Sequence, residues 1–274
     1  MDIMPSQPDH PYKAPDAPLT QQYQPSDQQF HLLPEPRKCQ AGWGISWLTN
    51  AFSMFKNDFL TWIGIGVVYL VILMVTSFIP IVNIIASFIS FVFIGGIIKG
   101  CHAQVMGEGL RFDHLFSAFS THLMPLVILV LLYFVAIIIV IIPIVIIGGG
   151  AFFFLGMSDS FSGGTSNSSV MLMFLLVFLL VMLLIIPIMM ALWFAPALIM
   201  MHDVEPFQAM KMSFKGCLKN LIPFLIFGLV TPLVLLLFAL VTLGIGLLAV
   251  FPIGMITYYT SYRDVWTNQP LSVA

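Results

Sequence analysis

Apolar and polar positions fall into long blocks along this chain rather than into short alternations. The clearest block is Pro206 to Trp266. It opens with PFQAMKMSFKGCLKN, where Phe207, Met210, Phe214, Cys217, Leu218 and Leu221 share one helical face and Lys211, Lys215 and Lys219 lie four apart on another. Two apolar stretches follow, Leu221 to about Leu240 and Leu247 to about Tyr262, parted by a tight turn at Gly244–Ile245–Gly246. The pattern predicts a basic helix on a membrane surface that feeds a transmembrane hairpin.

Earlier blocks read the same way. Gly42 to Asn57 is amphipathic, with Trp47, Ala51 and Met54 on one stripe and Leu48, Phe52 and Phe55 beside it; Trp43 and Trp47 suit the headgroup level. Phe59 to Ile79 spans about 31 Å as a helix, enough to cross the hydrocarbon core. Pro80 with Asn83 predicts a turn, and Ile84 to Ile98 a short return span that Ile81 and Val82 can extend. On that return Ser87 and Ser90, then Gly96 and Gly100 in a GxxxG pattern, make a small-residue face where helix backbones can approach closely in lipid. These four are the expected packing positions.

Lys99 to Met124 reads as a polar connection. Gly107–Glu108–Gly109 is a turn within it, Asp113 suits a helix start, and Phe112, Phe116, Phe119 and Leu123 form a stripe. Pro125 to Ile147 is a third span, kinkable at Pro143, and Gly148 to Ser169 a Gly/Ser loop. Val170 to Met201 exceeds one span, so bends are expected at Pro187 and Pro196, with the Trp193 end along the interface. Tyr258, Tyr259, Tyr262 and Trp266 predict an aromatic belt at the closing end.

The expected fold is all-α: a polytopic membrane protein of about six transmembrane helices with interfacial amphipathic helices. A 163-residue shift lays Lys56–Asn57 on Lys219–Asn220, and a 98-residue shift lays Pro125 on Pro223 and Phe116 on Phe214. That is a threefold repeat of helical hairpins in pattern, with few identities. Residues 1–40, rich in Pro and Gln, are expected to be a disordered tail. Residues 41–267 form the six-helix domain, and 268–274 a short second tail. The first long apolar run starts near Phe59, too late for a signal-peptide core, so insertion is expected to use the first span itself.

Composition and charge sharpen the picture. The chain is 59 % hydrophobic and 8 % charged, where a soluble domain has about a quarter charged. A net charge of −2 gives nucleic acid no purchase. All ten basic residues, Lys13, Arg37, Lys38, Lys56, Lys99, Arg111, Lys211, Lys215, Lys219 and Arg263, fall on one side of the six-span topology. The positive-inside rule makes that side cytoplasmic and puts both termini there.

The run from GWGISWL through WIGIGVVYLV, SFIPIVN and FVFIGGIIKGCHAQVMGEGLRFDHLFSAF resembles a family of uncharacterised bacterial inner-membrane proteins. That family is related to the membrane domain of glycerophosphoryl diester phosphodiesterases. EPFQAMKMSFKGCLKNLIPFL and YYTSYRDVW resemble its later landmarks. The likeness covers roughly Gly42 to Trp266. It implies a six-helix domain in the inner membrane and supplies no catalytic residues.

The span cores hold no Asp, Glu, Lys, Arg or His, which speaks against a proton relay or ion-coupled transport. HExxH, GxSxG, Walker and CxxC patterns are absent, and the three cysteines are scattered, so no cofactor or catalytic residue is assigned. His102 or His114 with His202 and Asp203 could assemble a metal site, but polar loop positions explain them as well. The expectation is a non-enzymatic protein whose partners are membrane lipids, anionic ones at Lys211, Lys215 and Lys219, together with unidentified proteins. A plain topology signal accounts for the same lysines. The alternatives are a permeation path for an apolar or lipid-like substrate and an enzyme acting on lipid headgroups.

Overall fold

The computed structural model describes residues 30–78, 80–162, 167–244 and 246–272. Its elements are α1 (Trp43–Asn57), α2 (Phe59–Ser77), α3 (Pro80–Val105), a 3-10 turn (Phe112–Phe116), α4 (Ser117–Thr121), α5 (Leu123–Ser162), α6 (Asn167–Trp193), α7 (Ala195–His202), α8 (Pro206–Lys219), α9 (Leu221–Val241) and α10 (Leu247–Trp266). No strand occurs among the described residues, only an isolated antiparallel bridge between Leu32 and Thr267. Four stretches, Phe59–Ser77, Leu123–Gly150, Phe174–His202 and Leu221–Val241, are long and apolar enough to cross a membrane. They leave side chains such as Val71, Ile139, Leu183 and Leu229 exposed, as helices facing hydrocarbon do. The chain is an all-helical membrane protein.

Several expected boundaries move. The turn expected at Pro80 to Asn83 is instead the first turn of α3; proline is well suited to a first helical position, where no N–H is needed. The connection expected from Lys99 is helical as far as Val105. The loop expected from Gly148 to Ser169 is helical at 148–162 and 167–169. Each glycine costs a helix about 1 kcal/mol, but unpaired backbone groups in hydrocarbon cost several kcal/mol each, so continuing the ladder wins. α6 and α7 part at Phe194, close to the expected bend at Pro196. α7 then turns inward, with Ala195 to Met200 all buried.

The packed core sits at one end of the helices. Trp47, Trp62, Phe194, Tyr259, Tyr262 and Trp266 are its largest fully buried side chains. Tyr259 to Trp266, the last two turns of α10, are buried on every face. The aromatic belt expected at Tyr259, Tyr262 and Trp266, and the headgroup position expected for Trp47, are therefore core positions. The cause is α1, which lies across α9 and α10; a Cβ on Gly44 would come within 2.2 Å of the Pro223 carbonyl oxygen.

Three joints lead into spans. Asp58 between α1 and α2 has φ −127° and ψ 43°. His122 between α4 and α5 has φ −131° and ψ 26°. Asn220 between α8 and α9 has φ −120° and ψ 32°. The same bend thus recurs where a surface segment becomes a long apolar helix.

The small-residue face of α3 packs, but not as a helix-to-helix seam. Ser90 shares a hydrogen bond with Tyr69 of α2. Ser87 lies outside the residues whose side chains are described. Gly96 and Gly100 receive the 3-10 turn: a Cβ on Gly96 would meet the backbone oxygens of Leu115 at 2.3 Å and His114 at 2.6 Å. A Cβ on Gly100 would meet only side-chain atoms, the nearest being Leu110 Cδ1 at 3.0 Å. Backbone cannot yield as a leucine methyl can, so Gly96→Ala should cost about 1–3 kcal/mol of stability and Gly100→Ala clearly less. Thermal unfolding of the two variants in detergent checks this, and equal losses would refute it.

Candidate functional site

α8 begins at Pro206, whose fixed φ suits the first helical turn. Its buried face is Ala209, Ser213, Gly216 and Cys217, small residues at helical spacing. Of the expected apolar stripe, Phe207, Phe214 and Leu218 remain 59 %, 36 % and 52 % exposed, while Cys217 is buried. Small side chains are needed because α8 closes on the break between α6 and α7. There Ser213 Oγ accepts a hydrogen bond from the Phe194 N–H (2.9 Å) and donates one to the Met190 carbonyl (2.7 Å). In an unbroken helix those two groups would pair with each other, so the serine stands in the gap of the ladder. A Cβ on Gly216 would lie 2.6 Å from Trp266 Nε1, so the α10 end demands glycine there.

The outward surface of α8 divides in two. Phe207, Phe214 and Leu218 make an apolar arc, and Lys211, Lys215 and Lys219, all exposed, a basic arc beside it. The arcs meet where Lys211 Nζ stands 4.4 Å from the Phe207 ring centroid. Lys215 Nζ donates to Glu35 Oε1 at 2.7 Å. That bond holds the Glu35 carboxyl below its ordinary value.

Glu35 belongs to a segment that the sequence placed in a disordered tail. Residues 1–29 lie outside the described residues, but 30–40 form a strap over the end of α10. Leu33 and Arg37 donate their N–H groups to the carbonyls of Trp266 and Val265 at 2.8 and 2.7 Å. The Arg37 guanidinium reaches the carbonyls of Asp264 (2.6 Å) and Thr267 (2.9 Å). Asn220 fastens the strap to α8 and α9 by accepting from Cys39 N–H at 2.7 Å and donating to the Arg37 carbonyl at 2.9 Å. Burial and then the nearby Asp264 charge push the Cys39 thiol up to about 12, so it stays protonated.

Beneath the strap is a buried carboxylate. Asp264 accepts from Trp47 Nε1 at 3.0 Å, from Leu271 N at 2.6 Å and from Ser272 N at 2.9 Å. The expected second tail at 268–274 is therefore folded back over Asp264 as far as Ser272. Arg263 donates to the Tyr259 hydroxyl at 2.8 Å and the Gln269 carbonyl at 3.0 Å. Phe30 covers this region: its ring stacks on His202 with centroids 5.5 Å apart and tilts against His102 at 4.7 Å.

The loop acids and histidines are brought to this end without forming a metal site. His102 pairs with the Tyr259 hydroxyl at 3.0 Å and His202 with the Tyr262 hydroxyl at 2.5 Å. Asp203, left-handed at φ 52°, pairs with His122 at 2.8 Å. His114 accepts from the Arg111 N–H at the 3-10 turn, and Asp113 is ion-paired to Arg111. No group of three ligating side chains forms among the described residues. Asp264, Arg37, Asn220 and Ser213 escaped the sequence reading. The one available signal was Ala209–Ser213–Cys217, small residues every fourth position on α8.

Compared with protein-family models, curated proteins and solved structures, the chain has no match.

The Glu35–Lys215 pair gives a pH dependence of known sign. A carboxyl held below its ordinary value of 4.5 adds stability above that value and loses it as pH falls through the lower folded value. Glu35→Gln should lower the thermal midpoint slightly at neutral pH and low salt, and the gap to the parent should close as pH falls below the ordinary carboxyl value of 4.5. A gap that widens on acidification would contradict the pairing.

Proposed function

We propose that the chain is a six-span protein of the bacterial inner membrane, with both termini cytoplasmic, that works through contacts with lipid and with other proteins and turns over no substrate. Ile81 to Ile98 of α3 and Leu247 to Tyr262 of α10 are taken as the two further spans, about 27 and 24 Å long. The contacts joining α1, α8, the strap and the α10 end gather where the basic residues lie, which suits a single cytoplasmic face. The resemblance of Gly42 to Trp266 to bacterial inner-membrane proteins points the same way.

The three joints at Asp58, His122 and Asn220 support a threefold repeat of surface segment, bend and span. The His122 and Asn220 joints are 98 residues apart, the shift read from the sequence. Asp58 and Asn220 are 162 apart, one fewer than the shift that aligned Lys56–Asn57. The middle unit has a 3-10 turn and a short helix where the others have one continuous helix.

The observation that carries the functional reading is the split outer surface of α8. An amphipathic helix at a bilayer surface needs an apolar arc among acyl chains and a basic arc among phosphates, and Phe207, Phe214 and Leu218 beside Lys211, Lys215 and Lys219 supply both. Near an anionic leaflet each lysine is worth about 1 kcal/mol. Asn220 then bends the chain directly into α9. The transport and headgroup-enzyme readings gain no comparable support, because His102 and His202 are engaged by tyrosines and both are in ring contact with Phe30.

Replacing Lys211, Lys215 and Lys219 together by Gln should leave insertion intact, with a reporter fused after Ser160 still periplasmic. The purified variant should retain less anionic lipid, with a deficit that shrinks as salt screens the surface over about 8 Å. Unchanged retention at low salt, or an inverted reporter, would reduce the lysines to a topology signal.

A further inference from the structure

Between the strap and the start of α9 lies an open cavity of about 570 Å³. Lys38 and Cys39 line it from the strap, and Leu218, Lys219, Leu221 and Ile222 from the other side. Its two cations are unclaimed: the ion pairs among the described residues are Arg111–Asp113, His122–Asp203 and Lys215–Glu35. Glu35, the acid that feels the charge of Lys219, is already held by Lys215.

The remaining wall is apolar and open. Leu218, Leu221 and Ile222 are 52 %, 45 % and 63 % exposed. From Ile222 an apolar track continues down one face of α9 through Leu225 and Leu229, each 70 % exposed. The Asn220 amide is turned toward the strap and leaves the start of α9 without a side-chain cap, so the positive end of that helix adds to the two lysines. Cations above and an apolar track below, at the end of a membrane-crossing helix, match one chemistry: a phosphate esterified to acyl chains. Free phosphate would leave the leucines wet, and a zwitterionic lipid brings an ammonium of its own that competes with the lysines for the phosphate.

We propose that this cavity binds one anionic glycerophospholipid, with Lys38 and Lys219 on its phosphate and an acyl chain along Ile222, Leu225 and Leu229. The proposal rests on the reading of α8 as a lipid-facing helix and adds a discrete site, built jointly with the strap, to a diffuse surface. Lys211 and Lys215 lie outside the cavity, so the two levels separate.

The test is native mass spectrometry of the full chain, released from bilayers of phosphatidylcholine and phosphatidylglycerol. The parent should keep one phosphatidylglycerol at high salt. Lys38→Gln with Lys219→Gln should lower that occupancy by about fivefold or more, and Lys38→Arg with Lys219→Arg should keep it. Lys211→Gln with Lys215→Gln should remove only additional, salt-sensitive lipid. If both Gln pairs lower occupancy alike, the discrete site falls and the surface reading stands; if neither does, both fall. Displacement by inorganic phosphate as readily as by added phosphatidylglycerol would overturn the lipid assignment. A phosphatidylglycerol with a photoreactive headgroup gives a second readout on the parent alone: labelling at 38–41 and 218–223 supports the site, and labelling elsewhere overturns it.

Discussion

A helix end that is polar and yet buried on every side must find its hydrogen-bond partners inside the protein. The last two turns of α10, YTSYRDVW, impose that condition. Asp264 is the most demanding member, because a buried carboxylate without donors costs several kcal/mol. Its donors come from distant parts of the chain, the Trp47 indole and the backbone of Leu271 and Ser272. The carbonyls that end α10 are met by Arg37 and the strap. Satisfying one helix end thus folds the 30–40 and 268–272 segments onto the bundle and draws α1 across it.

Much of the surface follows from that closure. With α1 over α10 and the strap behind it, Asn220 is committed inward to Cys39 and Arg37. α8 must then approach through small residues, Ser213 beside the α6–α7 break and Gly216 under Trp266. Its phenylalanines and lysines are left facing out. The division of α8 into an apolar and a basic arc is therefore set by what its other side has to accommodate. The same closure leaves Lys38 and Lys219 facing one cavity with no acid between them.

The apolar helices were legible in the sequence because hydrocarbon imposes length and composition, and neither depends on neighbours. α2 and α9 begin at Phe59 and Leu221, where the pattern put them. The recurring bend was half legible, as a repeat of polar-to-apolar boundaries. What escaped depends on which face of a helix wins. Tyr259, Tyr262 and Trp266 suit a headgroup belt and a core equally well until the cover supplied by α1 and the strap is known. The strap was hidden for a related reason: Leu33 and Arg37 bond the main-chain carbonyls of Asp264, Val265, Trp266 and Thr267, which carry no sequence signature. Gly148–Gly149–Gly150 misled in the opposite direction, since local propensity names a loop and the demand for paired backbone in lipid overrides it.

The buried end of α10 holds its two flanking segments by different atoms: 268–272 by the Asp264 carboxylate, and 30–40 by carbonyls that meet Arg37. Hydrogen–deuterium exchange on Asp264→Ala and Arg37→Ala, set against the parent in the same detergent, tests this most directly. Asp264→Ala should cost 268–272 its amide protection and Arg37→Ala should cost 30–40 its own, while α2 and α9 keep theirs. Unchanged protection of 268–272 in the first variant, or of 30–40 in the second, would contradict it.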